Sequence, residues 1–365
     1  MRNRARFATL GILGAALALT ACSGSSEGEE TALDPDIDIS TQTLTISTWP
    51  EYYPPTIAKD FEQEFGTKVN IIHHATNDEA MARLTNSADS GVDIAFLSGS
   101  FIQALKEQGK LATLDKTAIP NESNLYDAAT SLEYDPGNTV SMPYVWGTTG
   151  LCYRSDLVPA EPTSWNDLLN PAPEVSGKTT MLDDLRWTIL PALKLEGYSA
   201  NTTDPVELEA AKQQLMQTTD TLLAFDNTTY GEKLLAGEAV LSEAFDGWCN
   251  SAIGENPDIK FMIPEEGSDI WIDSMVVMKS SKNKEAAHQF INYVLRPEVQ
   301  AWVTEATLYN VPNEAAVDSL PDDLFAKYSA LTRDPSKLTA QEQMLDIGEG
   351  LVEVTRIVND VKAGV

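Results

Sequence analysis

Met142-Pro143-Tyr144-Val145-Trp146-Gly147-Thr148-Thr149-Gly150-Leu151-Cys152-Tyr153 is an extended run carrying two glycines, and it predicts a strand that crosses from one lobe of the molecule to another. A second extended run, Ile270-Trp271-Ile272-Asp273-Ser274-Met275-Val276-Val277-Met278, predicts a second crossing. Two crossings mean two interleaved lobes with a cleft between them.

Outward from the first run, strands and helices alternate. Leu44-Thr45-Ile46-Ser47-Thr48 reads as a strand, Pro55 to Phe65 as a helix opened by proline and stopped at Gly66, and Lys68 to His73 as a strand. Ala80 to Leu84 is helical in pattern, Val92 to Phe96 is a buried strand, and Phe101 to Gln108 is a helix ended by Gly109. This alternation predicts a parallel α/β sheet, whose ligands bind beyond the carboxyl ends of the strands. Trp49-Pro50-Glu51-Tyr52 and Ser98-Gly99-Ser100 follow two such ends and are candidate contact loops. Past the first crossing, helices are expected at Trp165–Leu169, Pro191–Gly197, Pro205–Thr218 and near Trp248, with a strand at Ala239–Phe245.

The N-terminus sets the compartment. Arg2, Arg4 and Arg6 precede an apolar run from Ala8 to Leu19, and Leu19-Thr20-Ala21-Cys22 closes it as a lipoprotein signal would. Residues 1–21 are expected to be removed, leaving Cys22 to carry the lipid. Ser23 to Thr41 is small, acidic and poor in apolar residues, and predicts a flexible tether of roughly 25 Å span. Losing the three arginines takes the net charge from −30 to −33, which argues against nucleic acid as a partner and permits cationic ones. In an oxidising compartment, Cys152 and Cys249 are expected to be bridged in preference to lying as two buried thiols.

Catalysis finds little support. His73 and His74 are neighbours on one strand and point to opposite faces, and His288 lies in an amphipathic helical pattern as a structural histidine. H-E-x-x-H and Walker-type glycine loops are missing from the sequence. No enzyme activity, cofactor or metal site is expected. Aromatic residues cluster instead at predicted element ends, at Trp49, Tyr52, Trp187, Phe245, Trp248, Trp271 and Tyr309, with Asp184, Asp246 and Asp273 nearby. Most single aromatics serve a core, but rings and carboxylates together suit an organic ammonium ligand in a partly dry cleft.

From about Thr43 to the C-terminus the chain resembles the spermidine/putrescine-binding proteins of ABC importers. The likeness is carried by Ser47 to Pro55 (STWPEYYPP), Met142 to Gly147 (MPYVWG), Leu182-Asp183-Asp184-Leu185-Arg186, Gly197 to Pro205 (GYSANTTDP), Trp271-Ile272-Asp273-Ser274 and Tyr309-Asn310-Val311-Pro312-Asn313. The resemblance implies the two-lobed type II periplasmic-binding-protein (Venus-flytrap) fold, two interleaved α/β domains with a hinge. It implies ligand contacts from Trp49, Tyr52, Ser98, Asp184, Trp271, Asp273 and Tyr309, and from Phe245 or, with a three-residue shift, Trp248. Trp187 stands where the family has a glutamate, and Ser100 where it has a tyrosine.

These readings place lobe 1 at 43–150 with 271–317, lobe 2 at 151–270 with 318–365, and the lipidated tether at 22–42. They make the chain a monomeric, extracytoplasmic, lipid-anchored binding protein that delivers a polyamine to an ABC permease. Another organic cation, quaternary or guanidino, is the alternative ligand, and amine sensing the alternative role.

Overall fold

A computed structural model describes residues 32–364. Within them ten strands form one mixed sheet: β1 (Thr43–Thr48), β2 (Lys68–His73), β3 (Ile94–Ser98), β4 (Ser141–Arg154), β5 (Thr179–Met181), β6 (Leu222–Phe225), β7 (Leu241–Phe245), β8 (Ile259–Met262), β9 (Asp269–Val277) and β10 (Glu342–Gln343). The order is β2-β1-β3-β9-β4-β7-β5-β6, with β10 on β9 and β8 on β4. The expected parallel sheet holds for β2-β1-β3 and for β6-β5-β7. Between those two sets, β9 runs antiparallel to β3, β4 antiparallel to β7 and β8, and the two antiparallel to each other, while β10 joins β9 in parallel, so the sheet is mixed. Chain crossings make this reversal: each long strand leaves one half of the sheet and enters the other, and β9 retraces β4.

Every residue of β9, and all of β4 but Arg154, is buried. Strands covered on both faces are rich in β-branched and aromatic residues, which is why these two were legible as extended segments although Thr148, Thr149, Asp273 and Ser274 interrupt their apolar character. Register carries the functional consequence. Ser98 pairs with Asp273 across β3 and β9, Trp271 with Gly147 across β9 and β4, and Thr149 with Phe245 across β4 and β7.

Two apolar clusters fill the layers. The larger surrounds β1, β3, β4 and β9 and takes in Leu44, Ile46, Phe61, Ile94, Tyr144 and Phe290. The smaller lies under β7 and packs Trp165, Leu208, Leu215, Ile357 and Val358. Leu324, Phe325, Tyr328, Leu331 and Leu338 pack on the larger cluster, and the Gly350–Ala363 helix on the smaller. Cys152 of β4 is disulfide-bonded to Cys249 of the Asp246–Glu255 helix.

Several local expectations shift. The helix placed at Pro55–Phe65 starts at Ile57, because Thr56 takes the cap position; Gly66 ends it at φ +75°, where a left-handed residue is required. The helix placed at Pro191–Gly197 runs from Leu185 to Leu195 with Pro191 inside it. Pro191 removes one backbone bond, and the helix continues through it with Leu190 and Ala192 buried on either side. Ser98 lies on β3 and caps the Gly99–Glu107 helix, so no loop separates them.

The body also begins before Thr43. Gln42 is buried, its Nε2 donates to Glu285 (2.8 Å) and its Oε1 accepts from Ala286 N (2.9 Å). Thr67 Oγ1 bonds to Ile39 O (2.8 Å), and Asp34 N to Glu285 (3.2 Å). Residues 34–42, assigned to the tether from composition, are thus seated by side chains that composition does not weigh. The signal at 1–21 and Cys22 lie outside the described residues.

Candidate ligand-binding cleft

Asp273 is the anchor of the site. It sits on β9 opposite Ser98, whose hydroxyl donates to Oδ1 (2.6 Å), while Tyr52 donates to Oδ2 (2.5 Å). Asn77 fixes Ser98 from below, with Nδ2 on Ser98 Oγ (3.0 Å) and Oδ1 on Ser98 N (3.1 Å). Burial nevertheless raises the Asp273 pKa to about 6, against the opposing pull of the two hydroxyls. Among the described residues no Lys, Arg or His forms an ion pair with it.

From Asp273 a row of rings crosses the sheet. Trp49 meets Tyr52 (centroids 5.1 Å), Tyr52 meets Tyr309 (5.6 Å), Tyr309 meets Trp271 (5.1 Å), Trp271 meets Phe245 (6.1 Å) and Phe245 meets Trp187 (5.4 Å). Each contact is edge-on, so successive rings turn alternate edges and faces toward the same groove. Two glycines make the approach possible. A Cβ at Gly147 would lie 2.3 Å from the Trp271 ring and 2.5 Å from the Asp246 carboxylate, and one at Gly247 would lie 2.3 Å from the Tyr309 ring. Glu51 and Leu308, both with φ +58°, immediately precede Tyr52 and Tyr309. Left-handed backbone costs a side-chain-bearing residue about 1–2 kcal/mol, and here it turns each tyrosine into the row.

The β7 end holds the other acids. Asp184 caps the Leu185–Leu195 helix by its backbone, but its half-buried carboxylate makes no capping bond, and burial lifts its pKa to about 6. Arg186, two residues on, is turned away: it donates to Leu345 O (2.8 Å), Ala200 O (2.9 Å) and Asn201 Oδ1 (2.9 Å). Asp269 accepts Trp187 Nε1 (2.8 Å) and Thr149 N (3.2 Å). Glu243 accepts Leu182 N (3.0 Å) on one oxygen, and the other oxygen has no partner. Asp246 accepts from Gly247 N (2.8 Å) and Thr148 N (3.2 Å). Burial raises the proton affinity of all three.

The row therefore brings together Trp49, Tyr52, Ser98, Asp273, Tyr309, Trp271, Phe245 and Trp187, with Asp184 next to Trp187's helix. Trp248 is not among them: it is 44 % exposed and joins none of the ring pairs, so the unshifted Phe245 is the one the structure brings to the cleft. Sequence reading named Asp246 without placing it and missed Glu243 and Asp269. An acidic residue two before Phe245 on a buried strand was the available signal, since period two puts Glu243 on the same face. His74, missed as a support, lies beneath Trp49 (4.7 Å), bonds Ser47 (2.9 Å) and is held neutral by burial, which lowers its pKa to about 4. His73 is exposed and contacts the Tyr53 hydroxyl, and His288 bonds Lys284 O and Asp115 N inside the fold.

A sheet in two halves joined by long crossing strands, with an aromatic and acidic row across the junction, defines a solute-binding protein of the type II fold. Residues 56–333 match the family described as bacterial extracellular solute-binding protein, and the chain belongs to that family. It is 32 % identical over 323 residues to the spermidine/putrescine-binding periplasmic protein of Escherichia coli, covering 88 % of this chain and 92 % of the relative. It is 27 % identical over 317 residues to the putrescine/cadaverine-binding protein of Pseudomonas aeruginosa, covering 84 % and 89 %. The solved spermidine/putrescine ABC transporter substrate-binding protein of Streptococcus pneumoniae superposes with a TM-score of 0.79 at 26 % identity, over 89 % of this chain and 99 % of that one.

Proposed function

We propose that the protein binds a polyamine in this cleft and delivers it to an ABC permease outside the cytoplasm, held to the membrane by a lipid on Cys22. One observation carries the ligand class: Asp273 is buried, fed by two hydroxyls and, among the described residues, without a cationic partner, beside a continuous row of rings. An alkylammonium supplies the missing charge, and its methylene chain lies along the rings. Asp184 stands ready for a second ammonium group. The relatives named above support the same class. The lobes bounded at 43–150 with 271–317 and at 151–270 with 318–365 close on the ligand about β4 and β9.

Calorimetry with putrescine, spermidine, glycine betaine and agmatine tests the reading. Putrescine or spermidine is expected to bind tightest; tighter binding of betaine, or binding of none, overturns it. Replacing Cys22 by Ala is expected to move the protein from the membrane to the soluble fraction, and unchanged retention would remove the anchor.

A further inference from the structure

We infer that Trp187 sets the length of the ligand: its indole is a lid over two buried carboxyl groups, Asp269 and Glu243, and it confines the cleft to diamines. The inference rests on the polyamine reading above and deepens it.

Three observations carry it. Trp187 spans from the Phe245 ring, 5.4 Å away, to Asp269, to which its Nε1 donates at 2.8 Å; it is itself buried. Behind it, Asp269 and Glu243 are both fully buried, and neither forms an ion pair among the described residues. Glu243 lies on the Phe245 face of β7, and its second oxygen has no hydrogen-bond partner, an orphan that a core does not ordinarily tolerate.

The surroundings of this pair are defined. Asp269 and Asp184 act on Glu243 by repulsion, from β9 and from the loop after β5, and Asp246 adds a further carboxylate near Asp269. Arg186 lies close enough to Asp269 to feel its charge, but its hydrogen bonds go to the carbonyls and amide described above. With the indole in place, the carboxylates that face the cleft are Asp273 and Asp184, enough for two ammonium groups. A third ammonium meets a ring edge where the acids are screened. Without the indole, the same ammonium reaches two carboxyls that ionise beside it.

Calorimetric titration of wild type, Trp187→Ala and Trp187→Phe with putrescine and spermidine at pH 7.5 decides the matter. Wild type is expected to prefer putrescine. Trp187→Ala should raise the spermidine-to-putrescine affinity ratio at least tenfold, and adding Glu243→Gln or Asp269→Asn to it should cancel most of the gain. Trp187→Phe keeps a wall but strips the donor from Asp269, and should raise the ratio at least threefold even if the alanine variant folds poorly. Titrations in two buffers of different ionisation enthalpy should show more protons released by spermidine from Trp187→Ala than from wild type. A ratio unchanged within twofold in the folded variants overturns the inference while leaving the polyamine reading intact. Binding of neither amine by wild type overturns both.

Discussion

The two ends of the aromatic row treat their carboxylates in opposite ways. At the β3 end, Asp273 receives two side-chain hydroxyls beside the Tyr52 and Tyr309 rings and keeps 7 % of its surface exposed. At the β7 end, Asp269 receives an indole N–H, a backbone N–H and a long bond from the Ser268 hydroxyl (3.3 Å), and none of it is exposed. Both acids are buried and both have raised proton affinity, so burial alone does not separate a ligand-facing acid from a covered one. The partner does. Hydroxyls leave the carboxylate's remaining lone pairs accessible, whereas a ring large enough to donate also occupies the space a ligand would need.

The largest expected effect tests that contrast directly. Asp273→Asn removes a charge-assisted bond to a buried ammonium and should cost about 2–5 kcal/mol of binding, at least ~30-fold in affinity. Asp269→Asn, alone, should change the affinity for putrescine by less than ~threefold, since the indole covers it. Equal losses in the two variants, measured by calorimetry, would erase the distinction between the ends.

Acid pH gives the next effect. Asp273 and Asp184 have folded-state pKa values raised to about 6, so a cation must displace protons from them below that pH. Affinity should be level above pH 7 and fall steadily as the pH drops through 6 toward 4. The same shift has a stability sign. A carboxyl whose folded pKa exceeds its unfolded value makes the fold bind more protons, so its stabilising contribution is full below about pH 4 and is lost as the pH rises through 6. Ligand-free Asp273→Asn should therefore melt higher than wild type at pH 7.5, and the gap should close by pH 4.

Legibility in the sequence follows the same physics. β4 and β9 could be read because strands buried on both faces are rich in β-branched and aromatic residues, and Asp273, Trp271, Tyr309 and Tyr52 were named because their nearness to predicted element ends and the resemblance both pointed at them. The antiparallel placement of β9 was not legible, since direction in a sheet is a property of connections and not of residues. Glu243 was only half legible, since period two places it on the Phe245 face without showing what that face meets. Its strand is short, and what singles it out is an unpaired oxygen created by three elements meeting, β7, the loop after β5 and β9. The seating of residues 34–42 was missed because two hydrogen bonds from Gln42 outweigh a composition that otherwise reads as unfolded.

Smaller effects sharpen the β3 end. Ser98→Ala or Tyr52→Phe removes one donor that holds the Asp273 pKa down, so each should cost about 1 kcal/mol of affinity and move the midpoint of the acid limb upward. A midpoint that stays put would mean the hydroxyls orient Asp273 without tuning it. Smallest of all, Leu308→Gly relieves a left-handed leucine at φ +58° and should leave stability within about 1 kcal/mol of wild type in either direction. Its informative readout is Tyr309: a weakened putrescine affinity at unchanged stability shows that the strained turn aims the ring.

The docking of residues 34–42 has a mechanical meaning. Asp34, Ile39 and Gln42 fasten the incoming chain to Thr67 and to the Lys284–Val294 helix, on the β1 side of the sheet, before β1 has begun. Any pull applied upstream of Asp34 is thus borne by that half, through bonds loaded in shear across several residues. The opposite half, reached only through β4 and β9 and the chain segments beyond them, carries none of that load. A force entering through the N-terminal segment would therefore divide the molecule into a loaded half and an unloaded one.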